Sequence, residues 1–463
     1  HESFDKQLFD SLLKKLTPKW HSYRQGKSIN LTTIQRNLSQ SIAKRKQKIS
    51  GVAGAGKTQV LATRAVNAQI RTGGNILILT YNKTLSNYLR YRINDVRADF
   101  YWNKLHISHY HHFFKEQAQI IGKHVYFNSF DDTYFFDGKE NDIEHFDAIF
   151  IDEVQKIDGF QKAVDSLYIK KNVDLYITGS NANLLSSELA TLLSGRYIEV
   201  KMLPLSFKEY KEAYEDLNNE ELYQKYISLG SLPYTTSLDT EDDVSMYLSS
   251  VYNDIIIKDV MTRKKIQDET MLRNVANFAM DNIGSLVSAN NIANTMINDG
   301  KDINVRTVER YLEGFTESFF LYKASRYDIK GKEYLKTQGK YYVSDLGFRY
   351  FMLGRKIGDF GHILENVVYF ELLRRGYDVY IGKIEEYEVD FVAINNEGRL
   401  YVQVTDTLKG IDENDTKILD RELRSLKKIN DNYEKIILTS DKIPVSNEDG
   451  IKIKNVLEWL LDK

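Results

Sequence analysis

The chain has 463 residues, enough for about three domains of ordinary size. Hydrophobic residues make up 42 % and charged residues 28 %, which excludes wholesale disorder. Lys plus Arg (63) against Asp plus Glu (65) leave a net charge of −2, so any pull toward nucleic acid or an anionic surface must be local. The absence of cysteine excludes disulfides and thiolate metal sites, and no apolar run is long enough to cross a bilayer. These features point to a cytoplasmic protein without membrane contact.

Residues 1–46 read as a charged helical segment ending in the basic run Lys44-Arg45-Lys46, a solvated face. The stretch His1–Leu16 is polar and unlike a signal peptide. From 47 to 205, the short apolar runs Ile76–Leu79, Ala148–Ile151, Leu175–Thr178 and Tyr197–Val200 alternate with helical stretches, the pattern of a mainly parallel α/β sheet. Residues 206–260 read as a helical connector or lid with a turn at Gly230-Ser231-Leu232-Pro233. Residues 261–350 read as three helices and a β-hairpin, and 355–463 as helix, strand, hairpin, strand, helix, strand, helix.

One segment carries specific chemistry. Gly51-Val52-Ala53-Gly54-Ala55-Gly56-Lys57-Thr58 matches the pattern G-x-x-x-x-G-K-S/T, which arises by chance in about two chains per hundred of this length. Its glycines let backbone amides curl around a phosphate, and Gln59 opens a helix whose N-terminal dipole faces the same anion. Lys57 brings a charge to the β- and γ-oxygens of ATP, and Thr58 a hydroxyl for Mg²⁺. The preceding strand should be apolar, yet Lys46-Gln47-Lys48-Ile49-Ser50 is mostly polar.

Ala148–Ile151 ends in Asp152-Glu153. After a complete P-loop this pair reads as a metal-holding Asp152 and a water-activating Glu153, where alone it would read as a solvated strand end. Ser180 and Asn181 follow a neighbouring strand and either position water or cap the next helix. Arg196 is either an arginine finger, in cis or from a neighbouring subunit of a homo-oligomer, or half of a surface ion pair.

Residues 28–155 resemble superfamily I helicases through Leu31–Gln35, the P-loop, Leu79-Thr-Tyr-Asn-Lys-Thr-Leu85, His109-Tyr-His-His-Phe-Phe114 and Ile151-Asp-Glu-Val-Gln155. That resemblance implies that Gln35 reads the adenine edge, that Asn82 and Lys83 lie near a strand-binding surface, and that Gln155 couples nucleotide state to substrate. From about 148 onward the chain resembles AAA-type ATPases that end in a restriction-endonuclease-like domain. The carriers are Tyr176-Ile-Thr-Gly-Ser-Asn-Ala182, Leu184–Leu189, Leu193-Ser-Gly-Arg196, Leu203-Pro-Leu-Ser-Phe207, Gly230–Pro233, Tyr342-Val-Ser-Asp-Leu-Gly347, Glu365 and Glu388-Val-Asp-Phe391. This AAA family has a shorter segment between P-loop and acidic pair than the 93 residues (59–151) found here, so the chain reads as a fusion at Asp152–Gln155. A second motor domain with its own arginine motif is missing after 206, which disfavours processive unwinding.

Histidines 109, 111 and 112 could bind metal, but lacking a helpful carboxylate they read as packing residues. Helices over 288–300 and 304–316, capped by Ser288 and Asn304, precede strands at Phe319–Lys323 and Lys340–Val343 whose loop holds Arg326, Lys330, Lys332 and Lys336. This is a helix-turn-helix with a wing, which docks on DNA or serves as a protein contact or lid. In the tail, Glu365 on a helix and Asp390 on a strand match a nuclease arrangement, but Gln403-Val404-Thr405 lacks the expected acid and lysine. The domain therefore reads as a catalytically silent binding module.

The expected whole is a P-loop NTPase with a mainly parallel sheet, followed by a winged helix and a restriction-endonuclease-like α/β domain. It binds and hydrolyses Mg-ATP to act on a nucleic-acid or protein partner. The alternatives are a nucleotide-dependent binding protein with little turnover and an ATP-gated nuclease.

Overall fold

The computed structural model describes residues 31–43, 46–126, 145–154, 164, 173–180, 198–214, 217–354, 360–409, 417–442 and 446–462. Most of the expected N-terminal helical segment lies outside them. Its described part forms helix α1 (Thr33–Ser39), opened by a capping box between Thr32 and Gln35. The described chain divides into two compact units, one running to Gly51 and from Gly56 to Met202, the other holding Val52–Ala55 and everything from Leu203.

The first unit is built on β1 (Lys46–Gly51), α2 (Lys57–Thr72), β2 (Ile76–Thr80), α3 (Lys83–Asn94), β3 (Leu105–His109), α4 (Tyr110–Ile120), β4 (Ala148–Ile151), β5 (Asp174–Gly179) and β6 (Ile198–Met202). Its six strands form one sheet in the order β3-β2-β4-β5-β1-β6. Every pairing is parallel. Alternate residues of a strand point to opposite faces. Thus Ile76 and Ile78 pack with Leu61, Ala65, Leu89 and Phe150, while Leu77 packs with Ile149, Ile151, Leu175 and Ile177 on the other face. The long segment between Thr58 and Asp152 supplies the extra edge strand β3. Sequence reading misses β3, because only Leu105 and Ile107 are apolar among its five residues.

The polarity of β1 has a local cause. Lys48, 2 % exposed, places its ammonium 2.9 Å from the Glu199 carboxylate of β6, and Ser50 Oγ donates to the same oxygen at 3.1 Å. A buried lysine is tolerated there because the neighbouring strand brings its counter-charge in register, Lys48 opposite Glu199.

The second unit contains α5 (Phe207–Lys211), α6 (Asn219–Leu229), α7 (Glu241–Asn253), a π-helical continuation (Asp254–Met261), α8 (Glu269–Asp281), β7 (Leu286–Val287), α9 (Ala289–Asn298), α10 (Val305–Glu317), β8 (Leu321–Asp328), β9 (Glu333–Val343) and α11 (Leu346–Leu353). There follow α12 (Phe360–Arg374), β10 (Asp378–Ile384), β11 (Tyr387–Asn395), β12 (Gly398–Thr405), α13 (Lys417–Lys427), β13 (Glu434–Thr439), β14 (Ser446–Glu448), β15 (Ile451–Asn455) and α14 (Val456–Leu461). Ser288 and Asn304 cap α9 and α10 as their sequence suggests. The hairpin is longer than read, so Arg326 and Lys336 belong to strands rather than to the loop. Residues 261–350 and 355–463 also share one sheet. Its nine strands run β14-β15-β13-β12-β11-β10-β8-β9-β7, joined across that divide by parallel pairing of β8 with β10.

Two sequence motifs meet at Asp345, the N-cap of α11. Its buried carboxylate accepts from Ser231 N at 2.6 Å, Ser231 Oγ at 3.1 Å and Gly347 N at 2.8 Å. Gly230 is required there: its φ is +80°, and an added Cβ would sit 2.1 Å from Asp345 Oδ1.

Candidate nucleotide site

β1 delivers the chain to the P-loop at the C-terminal edge of the parallel sheet, and α2 carries it away. Gly51, at φ +156°, has no room for a side chain, since a Cβ would meet Met202 O at 2.2 Å. Gly56, at φ +88°, is the N-cap of α2 and directs the first-turn amides, Lys57 and Thr58 to one side. Val52–Ala55 fall in the second unit, where a Cβ on Gly54 would lie 2.9 Å from Tyr247 Oη.

Lys57 donates to its own loop, Nζ to Gly51 O at 2.8 Å. Thr58 Oγ1 donates to Asp152 Oδ2 at 3.2 Å, joining residues 94 positions apart. The other oxygen of Asp152 accepts from Thr178 Oγ1. Asp152 is fully buried. Burial first, and then the Glu153 charge, push its carboxyl up to about 6 against the pull of Thr178, Lys57 and Thr58.

Glu153 takes a left-handed backbone, φ +52°, which costs a non-glycine residue about 1 kcal/mol and turns its side chain out of the strand line. Its N–H donates to Thr178 Oγ1 at 3.4 Å, and its Oε2 accepts from Ser180 Oγ at 3.5 Å. The structure therefore brings together Lys57, Thr58, Asp152, Glu153 and Ser180. Gln59 points along α2 toward Thr63, 3.5 Å away, and Gln35 uses its Oε1 to accept from Thr32 N at 3.3 Å. Asn181, Arg196 and Gln155 lie outside the described residues.

Sequence reasoning placed the polar group after β5 at Ser180 or Asn181 and gave no role to Thr178. The missed signal was register: β4 and β5 pair Ile151 with Ile177, which sets the next residues, Asp152 and Thr178, side by side. The histidine cluster acts locally, with His109 Nδ1 accepting from His112 N at 3.0 Å to cap α4.

The tail carboxylates form a second charged group. Lys340 of β9 reaches Glu365 at 3.0 Å, Glu388 at 2.9 Å and Asp390 at 3.7 Å. A positive charge is therefore present, although Gln403-Val404-Thr405 does not supply it. Burial, reinforced by Glu365, raises the Asp390 carboxyl well above the ordinary carboxylate range. For Glu365 burial acts the same way but is outweighed by His362 and Lys340, which hold it below that range.

Comparison with known proteins adds the family. A family model for the AAA domain matches residues 43–211, spanning the Asp152–Gln155 element at which the two sequence resemblances join. A protein described as uncharacterized from Haemophilus influenzae is 41 % identical over 316 residues, covering 67 % of this chain and 76 % of its own. The uncharacterized protein MJ1544 of Methanocaldococcus jannaschii is 30 % identical over 334 residues, covering 68 % and 74 %. The chain belongs to this family of AAA-domain proteins. Within it, residues 220–357 match a domain of unknown function, a stretch that takes in α6 to α11. Among solved structures, the Orc1 protein of Aeropyrum pernix in complex with DNA overlaps 70 % of this chain and 92 % of its own, at 11 % identity and a TM-score of 0.31. That likeness is too loose to bear on fold or function. No helix among the described residues is long and apolar enough to cross a membrane.

Proposed function

We propose that this AAA-domain protein hydrolyses Mg-ATP and uses the cycle to change shape on a nucleic-acid partner. The observation that carries the first half is the Thr58–Asp152–Thr178 cluster, a fully buried carboxylate held by hydroxyls beside a P-loop lysine. Burial outweighs the pull of Lys57 and the two hydroxyls on this carboxylate, and Mg²⁺ fits the remaining need for positive charge. Thr58 and Asp152 would hold the ion, which neutralises charge on the phosphates. Lys57 exchanges the Gly51 carbonyl for phosphate oxygens. Glu153 orients and deprotonates the attacking water, with Ser180 fixing its carboxylate. Arg196 completes the reading as an arginine finger in cis or from a neighbouring subunit.

The nucleic-acid half rests on α9, α10 and the β8–β9 hairpin, which have the order and connectivity of a winged helix. Arg306 and Arg310 of α10, with Lys323 of β8, line a cleft of about 680 Å³ that also holds Glu309 and Glu313, and these three cations are the groups available to phosphodiester oxygens.

The test is phosphate release with and without single-stranded and duplex DNA. Wild type should turn over faster with DNA, Lys57→Ala should neither bind nor turn over, and Glu153→Gln should bind ATP without releasing phosphate. Normal release from Glu153→Gln would sink the assignment of the base. No stimulation by DNA would point to a protein partner instead.

A further inference from the structure

The sequence pairs Glu365 on a helix with Asp390 on a strand as a nuclease pairs carboxylates to share a divalent cation, but in the structure one lysine ammonium lies against both. The Lys340 ammonium lies 3.0 Å from Glu365 Oε2, 2.9 Å from Glu388 Oε1 and 3.7 Å from Asp390 Oδ1, and its side chain is 5 % exposed. Two cations cannot share one small buried cluster without strong repulsion. Other oxygens of the cluster are also engaged, and Glu365 Oε1 faces His362 Nδ1 at 3.7 Å. Asp390 Oδ2 accepts from Val404 N at 2.8 Å, and Gln403, standing where a further acid would be, turns its Oε1 toward Asp390 N at 3.4 Å. With Lys340 in place, no group of three or more His, Asp or Glu side chains among the described residues is arranged to hold a metal ion.

The lysine is not free to withdraw. It sits on β9, where Tyr342, two residues on and facing the same way, donates its hydroxyl to Glu365 Oε2 at 3.2 Å. The Asn366 side chain then closes both backbone bonds of Val343, accepting from its N at 2.8 Å and donating to its O at 3.0 Å. Helix α12 is thus fastened to β9 by four hydrogen bonds, from Glu365 and Asn366 to Lys340, Tyr342 and Val343.

We infer that Lys340 is the resident cation of this carboxylate cluster, so that the C-terminal domain takes up no divalent metal and its carboxylates serve to lock the wing strand β9 to α12 and β11. The consequence is a domain that holds the wing in place and does not cut. The inference stands apart from the ATPase reading, because nucleotide plays no part in it.

The test is a calorimetric Mn²⁺ titration of the nucleotide-free full chain, comparing wild type, Asp390→Asn, Lys340→Met and the Lys340→Met/Asp390→Asn double variant. Wild type and Asp390→Asn should take up Mn²⁺ alike. Lys340→Met should gain a saturable site that the double variant lacks. Mn²⁺ uptake by wild type that Asp390→Asn removes would overturn the inference, as would a folded Lys340→Met that gains no site. Should Lys340→Met fail to fold, the comparison of wild type with Asp390→Asn decides alone: equal uptake supports the lock, and Asp390-dependent uptake refutes it.

Discussion

Asp152 and Asp390 are both carboxylates at the end or middle of a buried strand, and both are pushed upward in pKa by burial. Their partners differ. Asp152 is held by two threonine hydroxyls, while the P-loop lysine, Lys57, donates to the Gly51 carbonyl. Asp390 shares its surroundings with a lysine that is itself locked between Glu365 and Glu388. Neutral donors orient a carboxylate without discharging it, whereas an ammonium does both. On the reading proposed above, the same acid on the same kind of strand serves as a metal seat or as a structural clasp according to whether a cation of the chain reaches it first.

The largest expected effect tests the first site as a working one. Glu153→Gln should lower the rate of phosphate release by about 10²- to 10⁴-fold, the usual worth of a general base, with ATP affinity retained. A steady-state assay paired with nucleotide-binding calorimetry reads both.

The second site should fail differently. Lys340→Ala removes the ammonium shared by Glu365, Glu388 and the buried Asp390 and leaves Glu365 with His362 at 3.7 Å, a loss of up to about 3–5 kcal/mol. Urea denaturation should show it as a lower midpoint, with ATPase activity of the surviving folded protein little changed. An unaltered midpoint would mean the cluster contributes nothing as a clasp.

A smaller effect of opposite sign is expected at Asp152. Its folded carboxyl sits at about 6 against an ordinary 3.8, so the folded chain binds the extra proton and nucleotide-free stability falls as pH rises from about 4 through about 6. Above that window Asp152→Asn should therefore raise the melting temperature of the nucleotide-free protein, by up to about 3 kcal/mol in stability, while abolishing Mg-dependent turnover. The gain should vanish near pH 4, where wild type is protonated too. Smallest is Thr178→Val, which removes one hydroxyl from Asp152 and should raise the Mg²⁺ concentration needed for half-maximal turnover by about tenfold.

How much of this was legible follows from distance along the chain. The P-loop is contiguous, so its pattern could be read directly, and Asp152-Glu153 was recognisable once the P-loop was known. The caps Ser288 and Asn304 were legible because capping is settled within a few residues. Thr178 needed the β4–β5 register, which sequence alone does not state. The Lys48–Glu199 pair shows why the polar β1 looked wrong: its partner is on β6, at the far end of the AAA domain. Lys340 was hardest. It answers a gap at Gln403, yet it comes from a strand assigned to another domain, and only the pairing of β8 with β10 brings the two together. A lone lysine in the otherwise apolar Tyr341-Tyr342-Val343 end of β9 was the one available sign.

The most direct measurement counts the Mn²⁺ bound per chain in the presence of a non-hydrolysable ATP analogue, for wild type, Asp152→Asn and Asp390→Asn. The account expects nucleotide-dependent Mn²⁺ in wild type, its loss in Asp152→Asn and its full retention in Asp390→Asn. Retention in Asp152→Asn, or loss of an ion in Asp390→Asn, would contradict it.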